Sequence, residues 1–307
     1  MFQGIGECIH IIDSKIKAAV EGRDKTYIQD LAKRQVKAGA KIIDLNIGPR
    51  KKDGSEVMDW LVKTVQEVVD VPLSLDTTNA LAIEAGLKAC KKKPIINSTN
   101  ADPARMGVLF PLAAKYDANI ITLTLRATGL PVSADARVSI LVEDLVPAAE
   151  QAGVKMERMY VDPLAMTVCG TQEHAPEVLK TTFYVKQMMD PPLHMTCGLS
   201  NVSNRAPEEV RKVLNRVYLV MLMGSGMDTA ILDPFDQKLM KAIDIVEKRD
   251  DSTPLGKLYL AIADSYAACE EFDPSGVNMS DPEQAEVAKT IKILQNKLIY
   301  AHDYLKL

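Results

Sequence analysis

At 307 residues, 47% of them hydrophobic and 25% charged, the chain has the make-up of a globular enzyme built as one barrel or two average domains. A formal charge of −4 argues against the broad basic surface that nucleic-acid binding requires. The five cysteines and four histidines are scattered, with no C-x-x-C or H-x-x-x-H pair, which excludes a zinc or iron–sulfur framework and a disulfide scaffold.

In chain order, a first strand is expected at residues 2–6, leaving Glu7 just beyond it. A helix at 26–38, closed by Gly39, leads to a strand at 41–46. The helix at 56–69 sets Val57, Leu61, Val65 and Val68 on one face, with Glu56 and Asp59 in the turn that favours acids. Strands at 72–76, 94–98, 119–125, 159–162, 193–200 and 228–233 alternate with helices at 78–89, 103–115, 139–152, 175–188 and 208–223. The strands are short, rich in Ile, Leu and Val, and several lack in–out alternation, as buried parallel strands do. Gly224–Gly226 reads as a helix-ending turn. Helical patterns at 236–248, 255–272 and 282–305 follow, with a Pro- and Gly-containing loop at 273–281. No basic–apolar–small leader opens the sequence and no apolar run matches a bilayer, so the cytoplasm is the expected compartment.

Eight strands, each followed by a helix, predict an α/β fold, a (β/α)8 TIM barrel with extra C-terminal helices. An open doubly wound sheet is the other architecture, but no G-x-G-x-x-G follows the first strand. Residues 1–307 are expected to form one domain, with a helical insertion or extension at about 244–283.

In such barrels chemistry collects at the carboxyl ends of the strands. There the sequence sets Glu7, Asp44, Asn46, Asp76, Asn97, Asp162, Asn201 and Asp233. Basic groups hardly appear, and no histidine is expected at a strand end. Carboxylates and carboxamides suit a flat, polar, nearly neutral heterocycle and repel phosphate. A pterin fits: its 2-amino and N3–H groups form a two-donor edge that one carboxylate accepts, at roughly 1.5–3 kcal/mol per charge-assisted bond. Two other readings stay open, helix capping by these Asp and Asn residues and a divalent-cation site as in a metal-dependent aldolase-type barrel.

Five strings carry a resemblance: Asp44-Leu45-Asn46-Ile47-Gly48, Leu75-Asp76-Thr77-Thr78-Asn79, Ile96-Asn97-Ser98-Thr99-Asn100, Tyr160-Val161-Asp162-Pro163-Leu164 and Gly198-Leu199-Ser200-Asn201-Val202-Ser203. In order and one per strand, they resemble the pterin-binding family, and within it the methyltetrahydrofolate:corrinoid protein methyltransferases, followed by the folate domain of cobalamin-dependent methionine synthase. The resemblance implies a methyltransferase that moves the N5-methyl group between methyltetrahydrofolate and the cobalt (cobalamin type) of a corrinoid protein, as in acetyl-CoA synthesis or corrinoid-dependent O-demethylation. It implies that Asp76, Asn97 and Asp162 hold the pterin, that Asn46 and Gly48 line the same pocket, and that Asn201 stabilises the reacting state near N5, with Asp162 also counted as catalytic. Arg211 is implied at the substrate rim, with Arg205 as its rival. A homodimer and a separate corrinoid-carrying partner are implied, with no metal of its own, no nucleic acid and no membrane. Two departures stand out. Gly6-Glu7-Cys8-Ile9-His10 replaces the family's Gly-Glu-Arg-Ile-Asn. The Ser-Arg-Lys string of dihydropteroate synthases is missing, which argues against that activity. A folate-binding protein without turnover is a further alternative.

Overall fold

The computed structural model describes residues 1–306. β1 (Gln3–His10), α1 (Ser14–Glu21), α2 (Lys25–Lys37), β2 (Ile42–Asn46), α3 (Gly54–Gln66), β3 (Leu73–Asp76), α4 (Ala80–Ala89), β4 (Ile95–Asn100), α5 (Pro103–Lys115) and β5 (Asn119–Leu123) form the first part. A continuous helical stretch follows, with α6 (Ala134–Ile140) and α7 (Val146–Gln151) joined by a π turn (Leu141–Leu145). Then come β6 (Met159–Asp162), the one-turn α8 (Val168–Thr171), α9 (His174–Met188), β7 (His194–Met195), a 3₁₀ turn (Leu199–Ser203), α10 (Glu208–Gly224) and β8 (Thr229–Leu232). α11 (Gln237–Lys248), α12 (Pro254–Ala267) and α13 (Pro282–Leu294) end the order.

The strands are parallel, in the order β7-β6-β5-β4-β3-β2-β1-β8. The ring closes where Ile231 of β8 donates its N–H to Cys197 O at 2.8 Å, beside a parallel bridge between Gly198 and Ile231. This is the expected (β/α)8 barrel. Inside it Ile5, Ile42, Ile95, Ile121 and Tyr160 form a buried apolar plug, as the filled interior of such barrels demands. A second, larger layer holds the outward strand residues, Ile43, Leu45, Leu75 and Ile96 among them, against the helices. The parity of each strand therefore divides barrel interior from helix-facing layer.

Helix starts are set locally. Asp13, Asn79, Asp102, Asp236 and Asp281 each accept backbone N–H bonds at the head of α1, α4, α5, α11 and α13, a contribution of about 1 kcal/mol apiece. The tail packs on the barrel through α10, where Arg216 Nε donates to the Tyr259 hydroxyl of α12 at 2.8 Å, both side chains buried. Among the described residues no helix is long and apolar enough to cross a membrane.

Several boundaries differ from expectation. β1 runs on to His10, so Glu7 lies within it rather than after it. α1 is an additional element. It is only eight residues long. The helix expected at 139–152 starts earlier, at Ala134, behind the Ser133 cap. Of the strand expected at 193–200, only His194–Met195 is regular, because the chain turns at Leu199–Ser203. The last helix stops at Leu294, where Asn296 takes a left-handed conformation (φ 57°).

Candidate active site at the barrel mouth

The interior residues of β2, β3 and β4 above the apolar plug are Asp44, Asn46, Ser74, Asp76 and Asn97. Register pairs Asp44 with Ser74, and Asn46 with Asp76, and Asp76 with Asn97, so all five project to one side. Asp44 is buried and accepts from Ser74 Oγ at 2.5 Å and from Asn97 Nδ2 at 3.1 Å. Asn46 Nδ2 donates to Asp76, while its Oδ1 accepts the Gly48 N–H at 3.0 Å. Gly48 has φ 61°, which turns its carbonyl onto Thr77 Oγ1 at 2.6 Å; a side chain there would strain the turn.

Across the mouth, Asp162 ends β6. It is buried, and its Oδ1 accepts the Leu164 N–H at 2.7 Å. The Gly198 N–H also favours its charged form. Gly198 sits under Asn201: a Cβ at Gly198 would lie 2.9 Å from Asn201 Nδ2. The 3₁₀ turn thus brings Asn201 close to Asp162. Asn201 is exposed, and its Oδ1 is touched only loosely by Asn204 Nδ2 at 3.4 Å. A cleft beside it is lined by Glu7, Ser200, Arg211 and Asp233, among others. Arg211 therefore shares the mouth with the β1 and β8 acids; Arg205 is exposed with φ 67° and does not line that cleft.

Four acids of the mouth titrate above their ordinary range. Burial pushes Asp162 up to about 7, against the two N–H groups and a more distant pull from Arg137. Burial raises Asp76 to about 6, opposed by Asn46 and Arg105. Asp44 rises well above the carboxylate range through burial and then through the charge of Asp76. Glu7 is raised by burial and by Asp233, although Ser200 Oγ donates to it at 2.6 Å. Desolvation dominates in each, and among the described residues none of the four forms a salt bridge at contact distance. A ligand that brings N–H donors would supply what these carboxylates lack.

These groups are not the helix caps, which belong to other residues named above. That removes the capping reading for Asp44, Asn46, Asp76 and Asn97. Asn46, Asp76, Asn97 and Asp162 lie on the carboxyl-terminal halves of their strands, and Gly48, Asn201 and Arg211 on the segments that follow such strands. Three more join them that the sequence pattern does not mark. Ser74 reads in sequence as strand core. Arg105 comes from α5, not a strand end, and donates Nε to Ser98 O at 2.8 Å while acting on Asp76, so the mouth does hold a basic group. His10 ends β1 in register with Asn46, which places a histidine at a strand end after all.

A family model described as pterin binding enzyme matches residues 12–233. The chain belongs to the pterin-binding enzyme family. It is 31% identical over 241 residues to the methylcorrinoid:tetrahydrofolate methyltransferase of Eubacterium limosum, covering 78% of this chain and 88% of that one. It is 27% identical over 290 residues to the methionine synthase of Mycobacterium tuberculosis, spanning 88% of this chain but 24% of that much longer protein. Among solved structures, dihydropteroate synthase from Thermus thermophilus superposes with a TM-score of 0.57 at 17% identity, over 80% of this chain and 93% of that one. This last likeness concerns the fold.

Proposed function

We propose that this pterin-binding enzyme moves the N5-methyl group between methyltetrahydrofolate and the cobalt of a corrinoid carried by a separate protein. The observation that carries the reading is the floor of buried and half-buried carboxylates held by amides, a hydroxyl and backbone N–H groups: Asp44 with Ser74 and Asn97, Asp76 with Asn46, and Asp162 with the Leu164 N–H. Its similarity to the E. limosum methyltransferase supports the same reading.

Asp76, Asn97 and Asp162 hold the pterin, the acids accepting from its amino and ring N–H groups, while Asn46 and Gly48 shape the pocket wall. Burial disfavours the free carboxylate ions, so donors from the ligand are bound more strongly than they would be in water. Arg211 faces the substrate at the rim. Asn201, exposed and loosely held, is free to swing over N5 and donate as charge changes there, a preorganised donor of the kind that contributes several kcal/mol. Asp162 lies behind it and polarises the ring. The corrinoid cobalt is the co-substrate; this chain orients the methyl donor toward it. The same site serves transfer in either direction. In this proposal the enzyme is a cytoplasmic homodimer.

Mixing the protein with 5-methyltetrahydrofolate and cob(I)alamin is expected to give the absorbance spectrum of methylcobalamin. Absence of turnover with both free and protein-bound corrinoid would overturn the reading.

A further inference from the structure

We propose that His10 moves the proton at N5 in this site, an inference that rests on the methyl-transfer reading above. The strand β1 carries a bulge between Gly6 and Ile9. Before it, Gly6 is in register with Ile43, whose side chain belongs to the helix-facing layer. After it, Ile9 pairs with Leu45 and His10 with Asn46. Ile9 and Leu45 are both fully buried in that same outer layer. His10 therefore projects to the same side as Asn46, into the mouth, where Asn46 bonds to Asp76. Without the inserted residue the alternation that puts Glu7 inside would give the next interior place to Ile9.

His10 is half-buried, and its Nδ1 is buried with no hydrogen-bond partner among the described residues. A buried ring nitrogen left unpaired costs about 1–3 kcal/mol, so the folded chain by itself does not complete the hydrogen bonding of this imidazole. The charged groups bearing on it are Glu7 on its own strand and Asp13 at the head of α1. Asp233 after β8 and Arg211 of α10 act alongside it on Glu7, and β2 and β3 face it with Asn46 and Asp76.

Methyl transfer needs a proton as well as a hydrogen bond. When cobalt(I) uses its electron pair to form the Co–C bond, the methyl–N5 bond breaks and its pair stays on N5. The imidazolium of His10 gives that nitrogen its proton, directly or through one water, and is reprotonated by solvent. In reverse, neutral His10 takes the proton from N5 as N5 attacks the methyl of methylcobalt(III), and cobalt(I) leaves with the bond pair. Asn201 orients and hydrogen-bonds but has no proton to give up. Imidazole is the side chain suited to this work near neutral pH.

The test compares wild type with His10→Asn, His10→Gln and His10→Ala, measuring 5-methyltetrahydrofolate binding by calorimetry and methyl transfer to cob(I)alamin by absorbance between pH 5.5 and 8.5. The Asn and Gln variants are expected to bind folate within about threefold of wild type and to lose about 10²-fold in kcat at neutral pH. The fall of wild-type kcat toward alkaline pH is expected to vanish in both, and added imidazole is expected to restore part of the rate in His10→Ala. Unchanged kcat and pH profile in the Asn and Gln variants, or rate loss matched by loss of binding in both, would overturn the inference. If wild type neither binds folate nor turns over, the methyl-transfer reading falls with it; turnover insensitive to His10 overturns this inference alone.

Discussion

The two ends of the barrel treat the same residue type in opposite ways. At the amino end Asp228, just before β8, accepts from Lys186 Nζ at 2.7 Å, from His194 Nδ1 at 3.2 Å and from the Met195 N–H at 3.0 Å. Burial there raises the carboxyl, but the bonds from His194 and Lys186 outweigh it and hold the group below its ordinary value. At the carboxyl end Asp162 has only backbone donors within bonding distance and titrates at about 7. One acid is satisfied by the protein and adds to stability. The other lacks part of its compensation, which is what a binding site for an N–H-rich ligand requires.

The contrast can be sharpened by substitution. The largest effect is expected on rate: Asn201→Ala keeps most folate affinity, measured by calorimetry, and loses about 10²–10³-fold in kcat. Equal losses in binding and rate would deny it a role specific to the reacting state. The next effect is on stability at the mouth. The Asp162 carboxyl titrates higher in the fold (about 7) than in the unfolded chain (about 3.9), so its stabilising contribution is complete below pH 4 and is lost as pH rises through 7. Thermal unfolding of ligand-free Asp162→Asn, which lacks this titration, should therefore gain on wild type between pH 4 and pH 8, by up to about 4 kcal/mol. A gap that stays constant with pH would mean that the acid is compensated in the fold. The smallest effect has the opposite sign: Asp228→Asn removes the carboxylate partner of Lys186 and His194 at a partly exposed site, leaving Lys186 its bond to the Leu193 carbonyl, and is expected to destabilise by about 1–2 kcal/mol at pH 7. Denaturant melts check it, and a gain in stability would remove the distinction between the ends.

Much of the mouth is legible because barrel strands announce themselves as short Ile-, Leu- and Val-rich runs with one acid or amide where each run ends. Asp76, Asn97 and Asp162 follow from that pattern alone, and the order of five motifs points to the family. What escapes depends on geometry that a linear pattern does not carry. The bulge between Gly6 and Ile9 adds one residue to β1 and changes which side the next side chains face, so His10 reads in sequence as a loop residue. Arg105 reaches the mouth from a helix one turn past the strand end, and only its bonds to the carbonyls of Ser98, Thr77 and Thr78 reveal it. The turn at Leu199–Ser203 breaks what looks like a strand of eight residues, and that break is what lifts Asn201 over Gly198. α1 is short, with only Ile16, Ala19 and Val20 buried, too few apolar positions to register as a helical face.

The most direct measurement is a calorimetric titration of 5-methyltetrahydrofolate into wild type and into Asp76→Ala at pH 7.5. Saturable binding to wild type is expected, with a weakening of about 10²-fold or more in the variant from the loss of a two-donor carboxylate contact. No heat with wild type, or equal affinity in the two proteins, would contradict it.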